Sequence, residues 1–346
     1  MLGVLILCIA LLVLLLGNNK LPSSENKKVY IITFILLVIV MGCRDANINF
    51  GSDLNNYYRL YQLCIESNSF SHILENSSME KGYLYLNWCL SRVFTFPQFI
   101  IFFQSIICCG VTLHFIYKYS EDSKVSIIGF MSLGLMQFYL TGFRQSIAIS
   151  ICLVALGYAL NNKKIAFFIL VGIATSIHQT AIIFLPIIIL VNIKLTKPTF
   201  TIDIILILIL SLVIPHIMSI GNNLFDRAYT GSFIGNALGG AINVFLGTST
   251  AILTVIHKKT SKFRINNYPM IHILIIGTGI YAMRYQSLVL ERISLYYIPV
   301  LLILLPQALR NSFHGNNYAI MRNSTLAGML FLIYWRLGNI DYIIFN

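Results

Sequence analysis

Of this chain's 346 residues, 57% are hydrophobic and only 10% are charged, and the mean hydropathy is +0.79. Soluble domains carry about 25% charged residues, so the composition excludes a soluble protein and points to apolar helices in a bilayer. The formal charge of +12 would suggest nucleic acid in a soluble chain. Here it reads as the lysine and arginine excess kept in cytoplasmic loops, and no nucleic-acid partner is expected.

Apolar runs able to cross a bilayer fall at about 2–17, 29–43, 98–117, 125–141, 143–160, 165–177, 179–194, 202–220, 236–256, 268–287, 293–309 and 324–340. The expected fold is therefore all-α: a polytopic integral membrane protein of about twelve transmembrane helices, one domain over 1–346, with membrane lipid as its surroundings. Several runs are shorter than the roughly 20 residues of a full span, which leaves their ends loose. The first run has no basic segment before it and no small-residue cleavage site, so it reads as a retained span. Of the seven cysteines, Cys8, Cys108, Cys109 and Cys152 lie inside apolar runs as small hydrophobes, and no disulfide is expected. The single long connection is 44–96, and its amphipathic stretch 82–94 reads as an interfacial or re-entrant helix.

The lysines set the orientation. With the 18–28 connection in the cytoplasm, that side holds fifteen of the 24 basic residues against four acids, and both termini face outward. The connection 44–96 is then periplasmic. Twelve of the thirteen lysines fall on the cytoplasmic side, yet eight of the eleven arginines fall on the other. Topology needs positive charge of either kind, whereas the planar guanidinium grips phosphate and carboxylate bidentately. Outer-face arginines matched by outer-face acids therefore read as a site. The alternative is snorkelling to headgroups.

The candidate residues follow in chain order. Directly after the run that ends at Met41 come Arg44, Asp45 and Asp53, then paired asparagines and Tyr57. Charges at the rim of a span are costly and usually functional, and this mixture suits a sugar and phosphate site. Glu80 opens the amphipathic stretch, where an acid also simply favours the helix dipole. Arg144 and Gln145 stand where one span ends and the next begins, so the guanidinium lies at the membrane surface or in a polar cavity. His178 stands at another outer hinge, as a base or as a packing residue. Arg284, Glu291 and Arg292 close the series. A helix running unbroken from 268 to 309 would be about 60 Å long, twice the hydrocarbon core, so the chain must turn near 286–292. The two arginines then form an anion clamp, unless Glu291 neutralises one of them.

In this order, Arg44-Asp45…Gly51-Ser52-Asp53…Tyr57, Glu80-Lys81-Gly82-Tyr83, Arg144-Gln145 with Ala148, His178, and Arg292 with Tyr296 resemble the EpsG family of Wzy-type oligosaccharide-repeat polymerases. The resemblance covers roughly 1–310. It implies a multi-pass enzyme of the bacterial inner membrane, with its active site facing the periplasm. Such an enzyme joins undecaprenyl-pyrophosphate-linked repeat units, with a chain-length regulator protein as partner. The residue chemistry fits that reaction: arginines hold the departing pyrophosphate in a low-dielectric site, and a base among Asp45, Asp53, Glu80, Glu291 and His178 takes the acceptor's proton. No Asp-x-Asp pair and no glycine-rich phosphate loop occurs, so no metal, nucleotide or other cofactor is expected.

Two other classes compete. A lipid-linked oligosaccharide flippase would place charges near the bilayer midplane and often repeat itself in two halves. A membrane O-acyltransferase would need a histidine reachable from the cytoplasm. The charges here collect at one face, no internal repeat is visible, and the cytoplasmic loops are short and basic.

Overall fold

The structure, a computed structural model, describes residues 2–16, 24–44, 53–225, 237–257 and 269–344, and among these it contains helices and no strand. The chain divides into two compact units. One comprises Met1–Lys118, Asp122–Leu185 and Leu326–Asn346, the other Tyr119–Glu121 and Pro186–Thr325.

The first unit opens with α1 (Leu2–Leu16) and α2 (Ser24–Gly42), which pack together. The long connection that follows is helical: α3 (Asp53–Glu66), α4 (Phe70–Asn76) and α5 (Lys81–Ser91). α5 buries Tyr83, Leu84, Asn87 and Ser91 on one side, a spacing of three and four that marks one helix face. After them come α6 (Phe99–Tyr119), α7 (Ser123–Ser132), α8 (Leu135–Thr141), α9 (Phe143–Leu160) and α10 (Lys164–Ile177), then a 3-10 segment, Gln179–Phe184. α9 and α10 pack side by side, and α5 lies against α3, α4 and α10.

The run expected to cross at 125–141 is broken. α7 and α8 meet at an angle of 44°, and Gly134 between them has a φ of 99°, a conformation that a residue with a Cβ seldom adopts. The run 179–194 is not one helix either. It divides at Pro186 into the 3-10 segment and the four-residue α11 (Ile187–Leu190), as a residue without an N–H donor dictates.

The second unit contains α11, α12 (Lys197–Phe225), α13 (Ala237–Ile256), α14 (Met270–Ala282), α15 (Leu288–Ser294), α16 (Leu301–Ser312) and the start of α17 (Gly315–Ile344). α14 is its centre: every residue from Met270 to Tyr281 is buried, against α12, α13 and α15 among others. Glycines allow this close packing. A Cβ on Gly277 would stand 2.5 Å from Tyr297 Cβ. Asp203 of α12 meets His272 of α14 at 2.6 Å, both buried. The turn expected near 286–292 falls at Gln286–Ser287, where the Ser287 hydroxyl accepts from Val289 N at 3.1 Å and caps α15. Arg292 therefore lies inside α15 and does not open a long span.

Among the described residues three helices are long and apolar enough to cross a membrane: Phe99–Tyr119, Phe143–Leu160 and Lys197–Ile214. Counting the bent α7–α8 pair as one span makes four. Further apolar helical stretches of 10–17 residues, Leu5–Leu16 and Gly240–Ile256 among them, fall short of that length, so helix length does not bring the count to twelve.

Candidate functional site

In the first unit the ends of three segments converge. Glu80 precedes α5, Arg144 lies in the first turn of α9, and His178 ends α10. Arg144 forms an ion pair with Glu80 Oε2. Glu80 Oε1 meets His178 Nδ1 at 2.9 Å and accepts from Gln179 N at 3.4 Å. With Nδ1 donating to the carboxylate, the neutral ring keeps its lone pair on Nε2. The His178 side chain is 20% exposed, so solvent reaches the ring.

Burial pushes the Glu80 carboxyl up in pKa. The His178 hydrogen bond, a bond from its own backbone, and the charges of Arg144 and His178 outweigh that and take it down to about 2. Glu80 is thus a fixed anion. Its contact with Nδ1 fixes the orientation of the His178 ring.

Local sequence explains the convergence. Gly82, in the first turn of α5, lies against the end of α10. A Cβ there would stand 2.3 Å from Ser176 Oγ and 2.5 Å from its backbone oxygen. Only glycine lets α5 approach closely enough for Glu80 to reach His178. Gly142 alone separates α8 from α9, and a Cβ on it would fall 2.5 Å from the Phe138 ring. That tight joint fixes where α9 begins and so where Arg144 points. A guanidinium in a helix's first turn opposes the dipole, and Glu80 supplies the compensating charge.

An aromatic stack supports the arginine. Tyr57 of α3 lies parallel to Phe143 with centroids 4.9 Å apart and meets Tyr83 edge-on at 5.8 Å. Tyr57 also hydrogen-bonds the Arg144 side chain. On Phe143, too, lies the guanidinium of Arg44, 5.9 Å from the ring centroid. Arg44 is held by Met41 O at 2.7 Å and Leu140 O at 2.5 Å, and Gln98 ties its segment down through Gly42 O and Arg44 O. Two guanidinium nitrogens in this region, Arg44 Nη2 and Arg144 Nε, are buried with no partner among the described residues. Buried donors are nearly always satisfied, and an anion is the partner that suits a pair of guanidinium groups.

Of the other sequence candidates, Asp45 lies outside the described residues, and so does the side chain of Asp53, which opens α3. Gln145 is buried in α9. Arg284 and Arg292 belong to the second unit. There Arg284 donates to the Tyr281 hydroxyl at 2.8 Å and to Glu291 Oε1 at 3.4 Å. Tyr281 in turn accepts from Asn243 at 3.1 Å, and the Arg284 guanidinium fills the space left by Gly240, where a Cβ would stand 2.3 Å from it. Arg284 thus has the ion-pair geometry that was the alternative to a clamp, with Glu291 as its counter-ion. Among the described residues no three His, Cys, Asp or Glu side chains gather as metal ligands would.

Sequence reasoning missed Phe143 and Gln98, and named Gly82 and Tyr83 only as part of a family-like motif, without the spacing role of the one or the ring contact of the other. For Gly82 the further signal was a glycine in the first turn of a helix, and for Phe143 its place beside Arg144. No curated protein and no solved structure matches the chain. The family model that matches is the EpsG family, over residues 27–341.

Proposed function

The chain belongs to the EpsG family, membrane proteins of polysaccharide biosynthesis, and from that premise we propose that it is a glycosyltransferase that polymerises undecaprenyl-pyrophosphate-linked oligosaccharide repeat units. In this reading it works at the periplasmic face of the bacterial inner membrane, and a chain-length regulator is its protein partner. The observation that carries the reading is the junction of Glu80, His178 and Arg144, with the buried unpartnered nitrogens of Arg44 and Arg144 beside it.

His178 Nε2 takes the proton of the acceptor hydroxyl, with Glu80 holding the ring and stabilising the imidazolium that forms. The acceptor oxygen bonds to the anomeric carbon as the bond from that carbon to the pyrophosphate oxygen breaks. The lipid pyrophosphate leaves with the electron pair. Its charge is met by Arg144 and Arg44, preorganised by the Phe143–Tyr57 stack, where low dielectric makes each donor worth more than in water. Glu80 is too strong an acid to take the proton itself; its role is to fix the base.

The test is a gel of the surface polysaccharide from a strain lacking the gene. Loss of a polymerase leaves the core plus one repeat unit. Core alone would replace this reading with the flippase.

A further inference from the structure

Two of the three guanidinium nitrogens of Arg44 are taken up by carbonyl oxygens at helix ends. Nε donates to Met41 O at 2.7 Å, at the end of α2, and Nη1 to Leu140 O at 2.5 Å, at the end of α8. Nη2 remains, buried and with no partner among the described residues. Where it stands depends on the main chain of Arg44, and that chain is held from outside α2. Gln98, the residue before α6, donates its side-chain Nε2 to Gly42 O at 2.8 Å and to Arg44 O at 2.6 Å.

The last carbonyls of a helix have no intrahelical donor, so the plain role for this amide is to cap α2. Two observations ask more of it. Neither Gly42 nor Cys43 has the positive φ of the common glycine cap, and the amide bonds oxygens two residues apart, which fixes the chain on both sides of Cys43 and at Arg44 itself. The same helix then grips the end of α2 below that point. A Cβ on Gly42 would run into the ring of Phe102, one turn along α6 from Gln98, and Cys109 Sγ meets Met41 Sδ at 3.4 Å. The end of α2 is thereby fixed on α6, and from it the Arg44 side chain reaches across to Leu140 O and to the Phe143 ring, 5.9 Å from its centroid.

We propose that Gln98 is a positioning residue for the anion site: its amide fixes the Arg44 main chain so that Nη2 is held ready for the pyrophosphate. Gln98 touches neither substrate nor reacting atoms and acts through Arg44 alone. The proposal rests on the polymerase reading for the identity of the anion.

Action through Arg44 makes the effect of Gln98 conditional on that arginine. Full-length protein in nanodiscs is assayed for kcat/KM in ladder formation from purified lipid-linked repeat units, and for affinity towards farnesyl pyrophosphate, a short polyprenyl pyrophosphate without a glycan. Gln98→Met keeps the length and removes the donors. It should lower kcat/KM roughly 10–100-fold and weaken farnesyl pyrophosphate binding. In an Arg44→Met background the same change should cost less than about twofold, the signature of two residues acting as a unit. Gln98→Lys, which again offers a donor to helix-end carbonyls, should recover most of the loss. A cap without a positioning role gives losses that multiply, the same factor with Arg44 and without it, and that result overturns the proposal, as does full activity of Q98M. Should Q98M fold poorly, Gln98→Asn shifts the amide by one methylene, and the comparison with and without Arg44 is made on that variant.

The two readings fail separately. No ladder from the unaltered protein removes the polymerase reading, and weaker farnesyl pyrophosphate binding in Q98M only where Arg44 is present still supports the positioning role. A ladder from the unaltered protein with losses that multiply keeps the polymerase reading and removes the role of Gln98. Neither ladder nor binding in the unaltered protein overturns both.

Discussion

Glu80 and His178 are 98 residues apart in the chain and 2.9 Å apart in space. Neither is placed by its own helix alone. One precedes an amphipathic helix, the other ends an apolar one, and the carboxylate between them and Arg144 makes a single charged unit out of three distant segments.

That unit predicts unequal losses. Removing the base, His178→Ala, should slow ladder formation from purified lipid-linked repeat units by roughly 10²–10⁴-fold. Removing only the orienting charge, Glu80→Gln, should cost roughly 10–100-fold. Equal activity of H178A and the unaltered protein would remove His178 from the mechanism.

Arg144→Lys keeps a positive charge but loses the planar fork, so ladder formation should fall steeply, in excess EDTA as well as without it. Arg310→Lys, in the last turn of α16, should be tolerated, because there only charge is wanted. Equal tolerance at the two positions would argue against a guanidinium grip on pyrophosphate.

The pH dependence of stability follows from the lowered carboxyl. Glu80 goes from the ordinary 4.5 to about 2 in the folded protein, so the unfolded chain takes up its proton first as pH falls. The stabilisation is complete above pH 4.5 and is lost as pH drops towards 2. The gap in thermal midpoint between the unaltered protein and E80Q should therefore hold from pH 7 to 5 and close below that. A gap that instead widened with acid would reverse the sign.

Gly82→Ala should separate α5 from α10, because the new methyl meets Ser176 backbone atoms that no rotamer change can move. A lower thermal midpoint and a large loss of activity are expected. Gly172→Ala in α10 is the control: nothing lies within 4 Å of its Cβ, and replacing a helix-interior glycine there should stabilise by about 0.5–1 kcal/mol.

Orientation is open to a direct measurement. A reporter active only outside the cytoplasm should be active when fused at Asn68 and silent at Asn162, as the lysine distribution requires. Activity at Asn162 would invert the assignment of faces.

How much of this was legible beforehand depends on what kind of signal each residue leaves. Arg144 and His178 stood out because a polar side chain between two apolar runs has few bland explanations. Glu80 was visible only as the first acid of an amphipathic stretch. Its contacts were not: the lysine distribution puts positions 80, 144 and 178 on one face, and only the fold brings them within hydrogen-bond reach. Hydropathy found the helices α6, α9 and α12 well, because long uniform runs are what it measures. It found the apolar run at 125–141 without the bend that Gly134 puts in it, and it took 179–194 for one helix where Pro186 divides it, because a window averages over single residues. Arg284 was legible as a charge at a turn, but its bonds to Tyr281 and Glu291 depend on how α13, α14 and α15 pack.

α12 leads somewhere else. Only 6% of its Lys197–Ile214 stretch is buried within the protein, so in a bilayer most of its surface is left to lipid. Part of its hold on α14 is the Asp203–His272 bond, which is strong because both side chains are buried and no water competes for either group. Thickness and hydration of the host film thereby enter the architecture as variables. A short-chain detergent that wets this pair should release α12 first, while the glycine-packed α14 bundle keeps its shape, and lipid composition would then act on the protein much as a mutation does.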